Sequence, residues 1–320
     1  MKFKELFKSR YPGVVLRGMG MGAADVVPGV SGGTIAFITG IYQELLDSLS
    51  RIGPHCITIM REEGLSATWK HINGSFLLSL FLGVLISIFS LARIISGLLE
   101  QYPILVWSFF FGLVLASTFP ILRNIPRWSL STAVFLFLGI ALAVVVSELR
   151  PGDIPATPLT LFLSGALAIC AMALPGISGA FILLMIGIYP KVLTAVHELQ
   201  LSNLLYFAVG AALGLMLFSR LLSWLMHKYV ARTLAFLAGI LLGSLKIIWP
   251  WKLPINGAET VSSKLAPLLA NTSPSNFMAQ TGENANLGPA IIAALVAAVL
   301  VLAVDYFGGG HRGKSYATPQ

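Results

Sequence analysis

The sequence predicts an all-α polytopic membrane protein made of two inverted-topology repeats, each a re-entrant helical hairpin followed by three transmembrane helices. Three observations carry this. Of 320 residues, 56% are hydrophobic and only 11% charged, with a mean hydropathy of +0.84, whereas a soluble domain carries roughly 25% charged residues. The stretch "PGVSGGTIAFITGIY" at 28–42 returns as "PGISGAFILLMIGIY" at 175–189, with eight of fifteen positions identical at an offset of 147. The likeness then continues at an offset of 127, pairing Gly83 with Gly210, Arg93 with Arg220, Ser96 with Ser223, Gly112 with Gly239 and Ser117 with Ser244.

The first repeat is read as 1–152. Its opening, "MKFKELFKSRYPG", has no apolar run ending in a small-residue cleavage site, so no signal peptide is expected. The hairpin, about 14–50, has apolar arms of 14 and 16 residues at Val14–Val27 and Thr34–Leu49. At 1.5 Å per residue each arm reaches about 21–24 Å, short of a hydrocarbon core of roughly 30 Å. Arms of that length, broken at Pro28 and Gly29, read as a hairpin that enters and leaves on one side; two steeply tilted spans are the alternative. Full spans follow at about 75–99, 104–122 and 130–149. The second repeat, 153–320, has its hairpin at about 160–196, broken at Pro175 and Gly176, and spans at about 203–226, 232–249 and 288–307. Three spans after each hairpin turn the second half upside down relative to the first. Inverted repeats with helices broken near the bilayer midplane are the architecture of secondary transporters.

Lysine and arginine set the orientation. With the N-terminus inside, fourteen fall on the cytoplasmic side and four outside, while Arg93, Arg220 and Lys246 lie within helices. That bias predicts a multi-pass protein with both termini cytoplasmic and the loop at about 250–287 facing the periplasm. The net charge of +8 is explained by the same bias, so no nucleic acid is expected as a partner. Cys56, Cys170 and the five histidines have no ligand spacing, so neither metal nor cofactor is expected. "GMGMG" at 18–22 lacks the βαβ setting of a dinucleotide loop and reads as a close helix-packing surface.

Unwound backbone at membrane depth survives only where it is buried in protein or lines a wet cavity. Helices starting after the two breaks would turn free N–H groups toward such a cavity, an arrangement suited to an anion. The expected phosphate-binding set is therefore Ser31, Gly32, Gly33 and Thr34 from the first break with Ser178 and Gly179 from the second. The alternative is that glycine and serine merely allow tight packing. Arg93 and Arg220 occupy matched positions on opposite sides of the membrane, as an arginine gate at each face would require, with Arg17 near the cytoplasmic mouth. A charge near the bilayer centre costs at least about 2.5–3.5 kcal/mol, which marks such residues as functional candidates. Asp25 is the acidic residue deepest in an apolar stretch. It is a candidate for coupling to a proton or cation, with pairing to Arg17 or capping of the break as alternatives.

"RGMGMGAADVVPGVSGGTIAFITGIY", residues 17–42, resembles the signature of the bacterial polyprenyl-phosphate translocases. With the second block the likeness covers essentially the whole chain. The motif carries over onto Arg17, Asp25, Pro28, Gly29, Ser31, Gly32, Gly33 and Thr34. The resemblance implies a flippase of the bacterial cytoplasmic (inner) membrane that returns undecaprenyl phosphate, the lipid carrier of peptidoglycan and O-antigen precursors, from the outer to the inner leaflet. Two other readings compete. Undecaprenyl-pyrophosphate phosphatases share the repeats and a Pro-Gly-x-Ser motif. Their arginine after the serine is Gly32 here, however, and their Glu-x-x-x-Glu pair has no counterpart. A transporter of a soluble anion is the other, and differs in needing no lateral slot for a lipid tail.

Overall fold

A computed structural model describes residues 10–27, 30–148, 154–254 and 269–307. Its first half is helical throughout: α1 (Tyr11–Val26), α2 (Gly32–Ile38), α3 (Tyr42–Ser50), α4 (Pro54–Glu62), α5 (Leu65–His71), α6 (Gly74–Gln101), α7 (Pro103–Arg123) and α8 (Leu130–Ser147). The second half repeats the order without counterparts to α4 and α5: α9 (Pro158–Ala173), α10 (Gly179–Met185), α11 (Tyr189–His197), α12 (Leu201–Lys228) and α13 (Val230–Ser244). An antiparallel pair, β1 (Lys252–Pro254) and β2 (Leu269–Asn271), precedes α14 (Pro274–Thr281) and α15 (Leu287–Phe307).

The architecture is that of a polytopic membrane protein. Among the described residues, five helices are long and apolar enough to cross a bilayer, and a sixth crossing is reached if α10 and α11, bent by 105° at their junction, count as one. The five include the expected spans in α6, α7, α8, α12 and α15. The expected span at 232–249 is shorter than predicted: α13 has 15 residues and ends at Ser244, after which the chain turns. The length fails because α13 is wrapped by protein. Leu234, Ala235, Leu237, Ala238, Ile240 and Leu241 are all buried, so this helix has no lipid thickness to match.

Lipid tails are as apolar as leucine, so helices inside a bilayer associate by close packing rather than by escape from water. Small residues mark each crossing. Where α1 crosses α6, a Cβ on Gly18 would lie 2.2 Å from the Leu80 carbonyl oxygen, and one on Gly83 would lie 2.1 Å from that of Val15. Where α9 crosses α12, the same contacts recur as Gly165 against Phe207 and Gly210 against Phe162, at 2.1 and 1.9 Å. These are the residues that the two sequence offsets pair. Two further close pairs join the halves: α8 packs on α13 through Gly139 and Gly239, and α7 packs on α15 at Gly112.

Each hairpin has one more break than the sequence pattern implies. The expected arm Thr34–Leu49 is two helices, because α2 stops in a Schellman turn at Gly40. Gly40 N–H bonds the Phe37 carbonyl and Ile41 N–H bonds that of Ala36. Gly187 closes α10 identically, onto Leu184 and Leu183. Both glycines have positive φ, 73° and 74°, where a side chain is strained. The helix then restarts at Tyr42 and Tyr189.

Candidate functional site

The two broken segments meet. Ser31 and Thr34 are 1% and 0% exposed, and both face the break of the second hairpin. Ser31 Oγ accepts from its own Gly33 N–H at 3.1 Å, capping α2, and lies 3.2 and 3.4 Å from the Met172 and Leu174 carbonyls to which it can donate. Thr34 Oγ1 accepts from Gly176 N–H at 3.0 Å. Tyr42 Oη donates to the Ala173 carbonyl at 2.8 Å. These bonds satisfy backbone groups freed where α9 ends, which is why the unwinding is tolerated away from water.

Asp25 sits on the opposite edge of this joint. The residue is partly exposed while its carboxylate packs into the joint, Oδ1 accepting from Gly32 N–H at 2.7 Å. A Cβ on Gly32 would lie 2.6 Å from Oδ2, so glycine is what admits the carboxylate. The carboxylate thus occupies a donor expected to be free for a ligand. No Arg17–Asp25 ion pair occurs among the described residues, and eight residues separate the two along α1, about 12 Å. Ser178 caps α10 through Phe181 N–H at 3.5 Å, and Gly179 lets α10 pack against the Ala168 carbonyl, 2.4 Å from where its Cβ would be. Pro28 and Gly29 lie outside the described residues, as does the side chain of Arg93, whose backbone belongs to α6.

Arg220 is placed by α12 against the C-terminal end of α3. Its Nε donates to the Ser50 carbonyl at 3.1 Å and its Nη2 to that of Ile52 at 3.0 Å. One turn further along α12, Ser223 Oγ donates to Asp47 Oδ1 at 2.6 Å, and His227 Nε2 stands 3.9 Å from Asp47 Oδ2. Gln43 also donates to Asp47 Oδ1, at 3.1 Å. Together they clasp α3 to α12. The repeat-related pair, α11 and α6, makes no comparable contact among the described residues. The sequence reading passes over Tyr42, Asp47 and Ser223. Tyr42 and Ser223 nevertheless belong to identical repeat pairs, with Tyr189 and Ser96, a signal that could have found them.

A family model described as undecaprenyl phosphate translocase-like matches residues 21–265. The chain belongs to this family. A protein of Vibrio cholerae serotype O1 named polyprenyl-phosphate transporter is 47% identical over 298 residues, covering 93% of this chain and 97% of the relative. A Staphylococcus aureus protein of the same name is 33% identical over 261 residues, covering 76% and 87%. No solved structure matches the chain. The translocase-family match takes in both breaks, the joint between them and the α3–α12 clasp.

Proposed function

We propose that this protein is a flippase for undecaprenyl phosphate in the cytoplasmic membrane, returning the lipid from the outer to the inner leaflet for cell-envelope polysaccharide synthesis. The observation that supports this most is the polar joint between two broken hairpins, set among apolar helices. The names of the relatives supply the substrate class. In this reading the halves are inverted repeats, each hairpin re-entrant from its own face, and both termini are cytoplasmic. The matched glycine crossings of α1 with α6 and of α9 with α12 support such a relation.

The headgroup approaches the joint from the side where Asp25 is exposed. Ser31, Thr34 and Ser178 line it, and Gly32, Gly33 and Gly179 allow close approach. As a carboxylate, Asp25 repels phosphate; protonated, it loses that charge while its remaining oxygen can still accept from Gly32 N–H, so proton and lipid enter together. Arg220 belongs to the cytoplasmic gate that α3 and α12 form, and Arg93, its repeat partner, to the gate at the other face. Rocking one half against the other would then alternate access.

The test combines binding and movement. Native mass spectrometry of protein from gentle detergent should retain undecaprenyl monophosphate, and proteoliposomes should move it faster under a proton gradient. Asp25→Asn should keep the bound lipid and lose the acceleration. Retention of ordinary phospholipids with no polyprenyl phosphate would overturn the lipid reading in favour of a soluble anion. Unchanged acceleration in Asp25→Asn would remove the coupling role alone.

A further inference from the structure

Beside the joint, a slot of about 290 Å³ opens between α9, α10, α11 and α12. Its walls include Ala168, Met172, Ala180, Leu193, Val196 and Phe207, and the one side chain among its lining that carries a polar atom able to hydrogen-bond is Tyr189. A phosphate or carboxylate moved into such a lining would lose its water with nothing to replace it. Hydrocarbon would lose nothing. The slot is not sealed: Met172, Leu193 and Val196 are 40%, 39% and 48% exposed, so it opens at the outer surface of the helices. Its inner end is the joint itself, because Met172 lines the slot and its carbonyl lies within reach of Ser31 Oγ.

We infer that this slot holds the isoprenoid chain of a polyprenyl phosphate, with the chain leaving sideways into the bilayer while the headgroup reaches the joint. The inference rests on the proposed lipid substrate and specifies where its tail binds. An apolar channel that starts at a polar joint and opens along a membrane flank matches a molecule with one charged end and a long branched tail. At about 290 Å³ the slot is at the small end of ligand sites, so it grips the units nearest the phosphate and leaves the rest in lipid.

The probe is a polyprenyl phosphate with a diazirine near its phosphate end, photolysed with the full-length protein in nanodiscs and mapped by peptide mass spectrometry. Labels are expected on α10 and α11, displaced by unlabelled polyprenyl phosphate and not by inorganic phosphate. Ala180→Trp, which fills the slot from an exposed position, should weaken labelling about tenfold, the scale on which one group alters an apolar pocket. Leu217→Trp, on the exposed face of α12, should not. Saturable labelling confined to other helices would overturn the slot and leave the lipid substrate standing. Equal labelling by a diazirine phospholipid would reduce the slot to a general lipid crevice. No saturable labelling anywhere would overturn the lipid reading itself. The wild-type map decides these outcomes even if a variant fails to fold.

Discussion

Lys252 of β1 places its ammonium 4.0 Å from the centre of the Trp107 ring and donates to the Ile247 carbonyl at 2.6 Å. Those two contacts hold the cation at the rim of α7, while burial pushes its pKa down to about 8. Between about 8 and the ordinary value of 10.5, the unfolded chain carries this proton and the folded one does not. Stability therefore rises with pH across that window, and this group contributes no slope below it. Lys252→Met should flatten that part of the curve, as read from thermal unfolding between about pH 8 and about pH 10. At the same scale, the sequence makes Ser31 and Thr34 legible as important but not what they touch. Their partners, Met172 and Gly176, lie more than 140 residues away, and no local pattern reveals that the two breaks abut. The Gly32 N–H contact fits the capping of α2, one of the three roles open to Asp25, and coupling stays a proposal for the same carboxylate.

The helical elements were readable wherever length and apolarity agreed, as in α6, α12 and α15. Gly40 and Gly187 were visible as identical pairs, yet their function as helix stops depends on φ, which periodicity does not encode. The length of α13 was misjudged because hydropathy measures transfer into lipid, and this helix is surrounded by other helices. Crossings such as that of α9 with α12 depend on a bare backbone at Gly210, where any Cβ would meet the Phe162 carbonyl at 1.9 Å. Neither backbone can yield without parting the helices. Gly210→Val is expected to cost about 1–3 kcal/mol or more, lowering the thermal unfolding midpoint and reducing monodisperse protein after detergent extraction. Leu205→Val, on the exposed side of α12, should change neither.

Across the whole molecule, residues that the two sequence offsets pair make matched contacts, Gly18 and Gly83 at one crossing and Gly165 and Gly210 at the other. The match is not complete. The clasp between α3 and α12 needs Asp47, Ser223 and Arg220 together, whereas the residues paired with Asp47 and His227 by the repeat are Thr194 and Glu100. Asp47→Ala and Arg220→Ala should each loosen α3, seen as several-fold faster amide exchange over residues 42–52 with α13 unaffected. Unchanged exchange there would mean that apolar packing alone closes this face.

The α3–α12 clasp has a kinetic consequence for the proposed transport cycle. Two access states of a perfectly repeated protein would be equally populated, but a difference of only about 1.4 kcal/mol sets them ten to one. In the proposed transport cycle, a clasp that fastens the α3–α12 face more firmly than the opposite one would keep the empty protein waiting mostly toward that opposite side. Turnover at low supply would then follow how often cargo arrives there, and the molecule would work as a receiver with a preferred listening direction.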